Sequence, residues 1–520
     1  MARTAALALL ALALTVGEAQ ATDFRVVPVP GATLDVLADW QEQGAVGLLV
    51  PSAGPETSEM LARGSLVRGA AGNSLRGGVP EVRPLITLED AASPPVVYVG
   101  IPAGAAQPND RRYPILVSGR GFRGLLVSDS TRIPGLVSIA DVAPTATGRE
   151  GALSWTAEGE PAETLLALDR RIDANNDGRL LATVVFAGLV ALLALVRPRA
   201  ALLAFAAGLA ANLALGLGGV ETPWIVLATI VLAVAGGGLL LARRLRSATG
   251  IGLAFAAVMA AYLVVLGLDG PAVALSPLGP TQNSRFFGLS NLLETLLLVP
   301  ALVGAALLRV RFGWPGFAAV AGLALVTIAG NRFGADGGGA IVLAAGFAFL
   351  ALLLADARKS AMAITLVGVA LAVAGLLGLD AATGSSSHVT RAVEDGPGEL
   401  AGDLVDRVAI SYERVAAHWY VAVLVLGGIA ALAVLAVRSA RSAEPLARRG
   451  VPLALAAALA TSLVVNDSPT DVVLVGLAAY VAVHRGMLGD PCAASLSPSR
   501  SRLSWPPAAA ARRSRPFPRP

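Results

Sequence analysis

Beyond Arg179 the chain is a succession of apolar runs, and no other feature constrains its fold as much. The runs occupy positions 180–196, 200–217, 224–242, 251–268, 289–308, 317–330, 340–355, 361–379, 419–437, 451–465 and 472–483. Each approaches the roughly 20 residues with which a helix crosses a hydrocarbon core of about 30 Å. No water is available there to satisfy backbone polar groups, so such segments must be helical. The composition agrees: of 520 residues 55% are hydrophobic and 15% charged, against roughly 25% charged in a soluble domain. The fold class expected is an α-helical polytopic membrane protein with about eleven transmembrane helices, spanning 179–485.

The gaps between runs predict orientation. Every second gap is basic: Arg197 and Arg199; Arg243, Arg244 and Arg246; Arg309 and Arg311; Arg358 and Lys359; Arg438, Arg441, Arg448 and Arg449; then Arg485 and the tail. Basic loops stay in the cytoplasm. The net charge of +4 therefore reads as topology, and no nucleic-acid surface is implied. The start of the chain has the marks of a signal peptide at 1–21: Arg3, an apolar run at 5–16, then Ala19, Gln20, Ala21. An uncleaved anchor is the rival reading, but the run is short for one. Segment 22–178 alternates short apolar strands, such as 45–50, 96–101, 114–117 and 124–127, with helical stretches such as 33–43, which predicts an exported α/β domain. Cys492 is the single cysteine, so packing alone must hold that domain together. The tail, 486–520, is rich in Pro, Ser, Ala and Arg and is expected to be a disordered cytoplasmic extension with affinity for anionic membrane lipids.

Three of the outward gaps carry polar motifs. One contains Asn283 and Arg285 and runs into a helix with Asn291 and Glu294; another holds Asn331, Arg332 and Asp336; the third holds Asn466, Asp467 and Asp471. Carboxylates at the rim of an apolar span cost several kcal/mol unless paired or hydrated, which singles out Glu294, Asp336 and Asp467 as candidate catalytic groups. Arg285 and Arg332 are their expected partners, and Asn283, Asn291, Asn331, Asn466 and Asp471 complete a candidate binding set. The plainer reading gives the amides and glycines capping roles and makes Arg332 and Asp336 a helix-end ion pair. The eighth gap holds His388 and an amphipathic segment, 399–415, expected to lie at the interface as a connector.

The run Ser128, Asp129, Ser130, Thr131, Arg132 through Asp141, Val142, Ala143, Pro144, Thr145 resembles the late segment of alkaline-phosphatase and sulfatase superfamily domains. That resemblance implies an α/β fold with two metal ions held by Asp and His. This chain has no histidine before His388, so the resemblance extends to a trimmed, metal-free relative and no cofactor is expected. The membrane half, with Asn283-Ser284-Arg285-Phe286-Phe287-Gly288 and Asn466-Asp467-Ser468-Pro469, resembles multi-pass proteins of GC-rich bacteria that carry such a domain.

The function expected is that of a plasma-membrane protein of the cell envelope. It would handle a lipid-linked or phosphorylated envelope precursor at the outer face, with arginines on phosphate and a carboxyl as acid or base. A secondary transporter with a site at discontinuous helices and a non-catalytic scaffold are the alternatives. All three polar motifs fall outside and the inner halves of the helices are nearly free of charge, which leans away from transport.

Overall fold

The computed structural model describes residues 25–50, 96–101, 112–119, 121–142, 145, 153–282, 285–330, 332–334, 337–355, 413, 415–466 and 468–489. The expected signal segment, the apolar run 361–379, His388, nearly all of the segment 399–415 and the tail beyond 489 lie outside the described residues.

The N-terminal part is a seven-stranded mixed sheet in the order β1-β3-β4-β2-β5-β7, with β6 pairing β2. The strands are β1 (Arg25–Pro30), β2 (Gly44–Val50), β3 (Val96–Ile101), β4 (Tyr113–Ser118), β5 (Gly124–Ser128), β6 (Leu136–Ser138) and β7 (Leu153–Thr156). β1 runs parallel to β3, and β2 parallel to β5 and β6; the other pairings are antiparallel. Successive side chains point to opposite faces of a sheet, and here both faces are packed. Ala45, Leu49, Val97, Val99, Ile115 and Val117 form one cluster. Val46, Leu48, Val96, Tyr98 and Leu116 face the other way, against Leu37 and Trp40 of the short helix α1 (Leu37–Trp40) and against Leu165 and Ile172. Burial on both faces explains why β2 is a continuous apolar run with no polar alternation.

Leu165 and Ile172 belong to α2 (Pro161–Val196), 36 residues or about 54 Å at the α-helical rise. Its first half is polar and its second half, from Leu180, is apolar. The boundary drawn at 178 thus falls inside one helix that carries the sheet into the membrane region. The joint is polar: Arg112, buried, pairs with Asp169 and Asp173 of α2, and the Ala162 N–H donates to Gln41 Oε1 at 3.0 Å.

The bundle continues with α3 (Pro198–Leu217), α4 (Pro223–Arg244), α5 (Ala248–Leu268), the short α6 (Gly270–Ala274), α7 (Asn291–Ala329), α8 (Gly337–Ala355), α9 (Trp419–Arg441), α10 (Leu446–Val465) and α11 (Pro469–Gly489). With α2, nine of these are long and apolar enough to cross a membrane, among the described residues. The chain is therefore a membrane-embedded, polytopic helical protein. The apolar runs 289–308 and 317–330 lie together in α7, which folds back at Gly313 (φ 67°, ψ −156°), a backbone conformation open essentially to glycine alone. Its arms lie side by side: a Cβ on Gly304 would stand 3.5 Å from Val320 Cγ1. A straight helix would separate those positions by about 24 Å. This hairpin is the centre of the bundle, its most apolar window being 94% buried against 11% for α9.

The two ends of the bundle differ. At the end away from the sheet, arginines close helix C-termini on neighbouring helices: Arg199 bonds Leu245 O, Arg309 donates to Leu354 O at 2.9 Å, and Arg485 to Ala194 O and Leu195 O at 3.4 Å. Each meets backbone carbonyls where the helix dipole favours a cation. At the sheet end Trp224, Trp419 and Tyr420 are exposed, and at the α7 bend Phe312 and Trp314 are exposed, as aromatic residues are at the two water–hydrocarbon boundaries.

Candidate functional site

At the sheet end, the loop between α6 and α7 is held in place from below. Asn212, fully buried in α3, donates through Nδ2 to Ser276 Oγ (3.0 Å) and Tyr262 OH (3.2 Å), and its Oδ1 accepts from the Leu278 N–H at 3.0 Å. The buried Gln282, at φ 59°, donates to Ala274 O at 2.9 Å. Ser290 then caps α7: its hydroxyl accepts from the Leu293 N–H at 3.1 Å and donates to Leu278 O at 2.8 Å, satisfying a donor that every helix N-terminus leaves open.

One turn deeper, Glu294 has zero exposure. Its Oε2 accepts from Asn466 Nδ2 at 2.7 Å, and the other hydrogen of that amide goes to Ser462 Oγ at 2.8 Å. Asn466 is the C-cap of α10, which is why an amide sits at this depth. Around this pair lies a second chain of contacts: Arg285 Nη1 donates to Asn291 Oδ1 at 3.2 Å, and Asn291 Nδ2 donates to Ser468 Oγ at 3.3 Å. Asp471, in the first turn of α11, meets Arg179 of α2 at 3.3 Å, and Arg179 also bonds Gly279 O. The 332–334 segment joins through its backbone, the Leu289 N–H donating to Gly334 O at 3.0 Å. Gly288 (φ 75°) is required at this crossing, because a Cβ would stand 2.1 Å from Gly334 O.

The structure thus brings Glu294, Asn466, Asn291, Arg285 and Asp471 into one layer, with backbone of the 332–334 segment beside it. Among the described residues no carboxylate meets Arg332, whose side chain is exposed. The cation on Asp471 is Arg179, a residue outside the expected set, because α2 runs on unbroken from the sheet and reaches the loop. Asn283, Asn331, Asp336 and Asp467 lie outside the described residues.

Arg179 belongs to a stripe on α2 that sequence reading missed. Arg171 donates to Gly216 O at 2.6 Å and Asn175 to Leu275 O at 2.8 Å, so donors four residues apart on one helical face hold carbonyls of the α3 C-terminal turn and of the α6–α7 loop in turn. The signal was present as polar residues at 171, 175 and 179. Asn212 was missed as well; an amide alone in an apolar run is the mark that finds it.

In the sheet domain, the segment 128–141 holds a second polar knot. Asp141, almost fully buried, takes Ser130 Oγ at 2.7 Å and the Ser130 N–H at 3.1 Å, and also the Ser128 hydroxyl. Burial pushes its carboxyl above the ordinary 3.8, against the pull of these donors. Both oxygens are occupied in closing the β5–β6 turn. Among the described residues no three His, Cys, Asp or Glu side chains stand together as a metal site.

Fold and site together define a polytopic membrane protein with a sheet domain seated on its polar end. No protein-family model, curated protein or solved structure matches the chain.

Proposed function

We propose that this is a cell-envelope membrane protein that handles a lipid-linked or phosphorylated precursor at the membrane face bearing the sheet domain. The basic ends of the helices belong in the cytoplasm on this reading, which puts the sheet domain outside. The observation that carries it is the single layer that holds a wholly buried carboxyl, Glu294 on Asn466, together with two cationic groups, Arg285 on Asn291 and Arg179 on Asp471. Guanidinium groups suit phosphate through paired, charge-assisted hydrogen bonds. A buried carboxyl that exchanges a proton suits acid or base work on the same ligand. The resemblance of the 128–145 segment to phosphatase-superfamily domains supports the same direction.

Transport is the second reading. It is favoured by a buried polar cluster further along α11, where Ser439 Oγ lies 2.6 Å from Tyr480 OH and 2.8 Å from His484 Nδ1.

The test is native mass spectrometry of the full chain released from its own membranes. A phosphate-headed lipid should accompany the wild type and fall tenfold to a hundredfold, at roughly 1.5–3 kcal/mol per charged hydrogen bond, in Arg179→Gln and Arg285→Gln. Glu294→Gln should keep the lipid. Absence of any phosphate-headed lipid, or equal amounts in all variants, rejects this reading; movement of a solute across proteoliposomes that Glu294→Gln abolishes favours the second.

A further inference from the structure

The stalk helix α2 does not close against α4 where the two meet at the membrane boundary. Between them is a shallow, open crevice walled by Gly178 and Leu181 of α2, by Pro223 and Leu227 of α4, and by Pro277 of the α6–α7 loop. Its depth is set by its neighbours. The apolar half of α2 begins at Leu180, which is exposed, and α4 opens with Trp224, 70% exposed, a residue that favours the headgroup level. The walls are therefore apolar and open toward hydrocarbon. The polar rim is shared with the site: Asn175 lines the crevice, and Arg179 follows Gly178 directly.

Gly178 is the second observation. Glycine in a helix interior is unfavourable, and it is usually explained by another backbone pressing close. Here no atom lies within 4 Å of the place a Cβ would occupy. The same holds at Gly188 and Gly322; at Gly178 the open position falls on the crevice wall, where the missing side chain leaves room. The cation for a phosphate headgroup is adjacent: Arg179 bonds Gly279 O through Nη1, while its Nη2 lies 3.3 Å from Asp471, longer than the 2.7–2.9 Å or so of a tight charge-assisted bond.

We infer that this crevice holds the upper hydrocarbon chain of a phosphate-headed lipid from the leaflet on the sheet-domain side, with the headgroup directed to Arg179. The inference rests on the precursor-handling reading and gives the substrate's tail a place. A chain seated between Gly178 and Leu227 leads its phosphate to the layer containing Arg179, Arg285 and Glu294, whereas a lipid merely coating the bundle has no such path.

Full-length protein in phosphatidylcholine nanodiscs, doped with a phosphatidic-acid analogue carrying a diazirine high in its acyl chain, is irradiated, digested and mapped by mass spectrometry. Label is expected on peptides containing Gly178 and Leu227. It should fall about tenfold in Gly178→Trp, because excluding about two methylenes from burial already changes occupancy by that factor. Leu227→Trp fills the crevice from the opposite wall and should give the same loss, and at least one of the two variants is expected to keep the wild-type melting temperature. A diacylglycerol analogue with the same chain and no phosphate should label these peptides less. Wild-type labelling in a folded tryptophan variant, equal labelling by the diacylglycerol analogue, or label spread evenly over all lipid-facing helices would overturn the inference. If a phosphate-headed lipid still copurifies with the protein in those cases, the tail site fails and the precursor-handling reading stands; if none copurifies, that reading fails with it.

Discussion

Single side chains in this protein do their work by holding backbone. Asp141 shows the trade clearly: it is buried, which raises its carboxyl above 3.8, while Ser128 and Ser130 donate to it. A raised value in the folded state means that the folded protein binds the proton more tightly than the unfolded chain. Its contribution to stability is therefore greatest below 3.8 and declines as pH rises from there through the higher folded value. Hydrogen exchange of the β5 and β6 amides, compared between wild type and Asp141→Asn, should show the wild type's relative protection falling as pH rises above 3.8. A difference that stays flat or grows with pH would refute the assignment of burial as the dominant cause. At this scale the sequence was legible where a charged residue interrupts an apolar run, as at Glu294. Arg179 was hidden because it stands at the last polar position before such a run, where it reads as a boundary. Asn212 was hidden because one amide barely changes the hydropathy of its surroundings, although its three hydrogen bonds hold the loop above Glu294.

Among the helices, α7 decides the architecture. Its sequence contains Gly313 and Pro315, and the backbone at Gly313 (φ 67°) lies where side chains with a Cβ are strained. The first arm packs on α5, where Gly252 brings Leu308 close and Gly304 faces Phe255, the small-residue contacts that membrane helices use in place of a hydrophobic drive. Gly313→Ala should destabilise the protein by about 1–3 kcal/mol, the usual range for a residue forced into a sparsely populated conformation. Thermal unfolding in detergent reads this, and Gly322→Ala, where a Cβ would meet nothing within 4 Å, is the control that should be neutral or slightly stabilising. An equal effect at both positions would mean that the bend carries no special strain. Strands 45–50, 96–101, 114–117 and 124–127 were legible to within a residue or so because continuous apolar runs between turn residues leave few alternatives. The length of α2 was not, since its amphiphilic first half carries the helical period but sits among residues of soluble character, and only the packed sheet and loops show that it continues unbroken.

For the whole molecule the decisive asymmetry is between the two ends of the bundle. One end gathers the sheet domain, the polar layer of Glu294, Asn466, Arg285, Asn291 and Asp471, and the crevice beside Gly178. The other gathers arginines that cap helix C-termini. These arginines serve structure and topology at once: a guanidinium that closes a neighbour's carbonyls is also a charge that resists passage across the bilayer. Sidedness follows as a prediction, with the α7 hairpin counted as two spans and the apolar run 361–379 as a further one, giving eleven. Alkaline-phosphatase reporters, active only after export, are to be fused after Gly218, Arg246, Asp380 and Arg449 of the full sequence, with a fluorescent reporter that matures only in the cytoplasm at the same sites. Phosphatase activity is expected at Gly218 and Asp380 and fluorescence at Arg246 and Arg449. Reversal at all four sites would turn the molecule over, place the sheet domain and Glu294 in the cytoplasm, and remove the basis for an outer-face substrate. Reversal at Asp380 and Arg449 alone would instead show that the hairpin and the run 361–379 do not add the three crossings assumed for them, and would leave the polar layer facing outward.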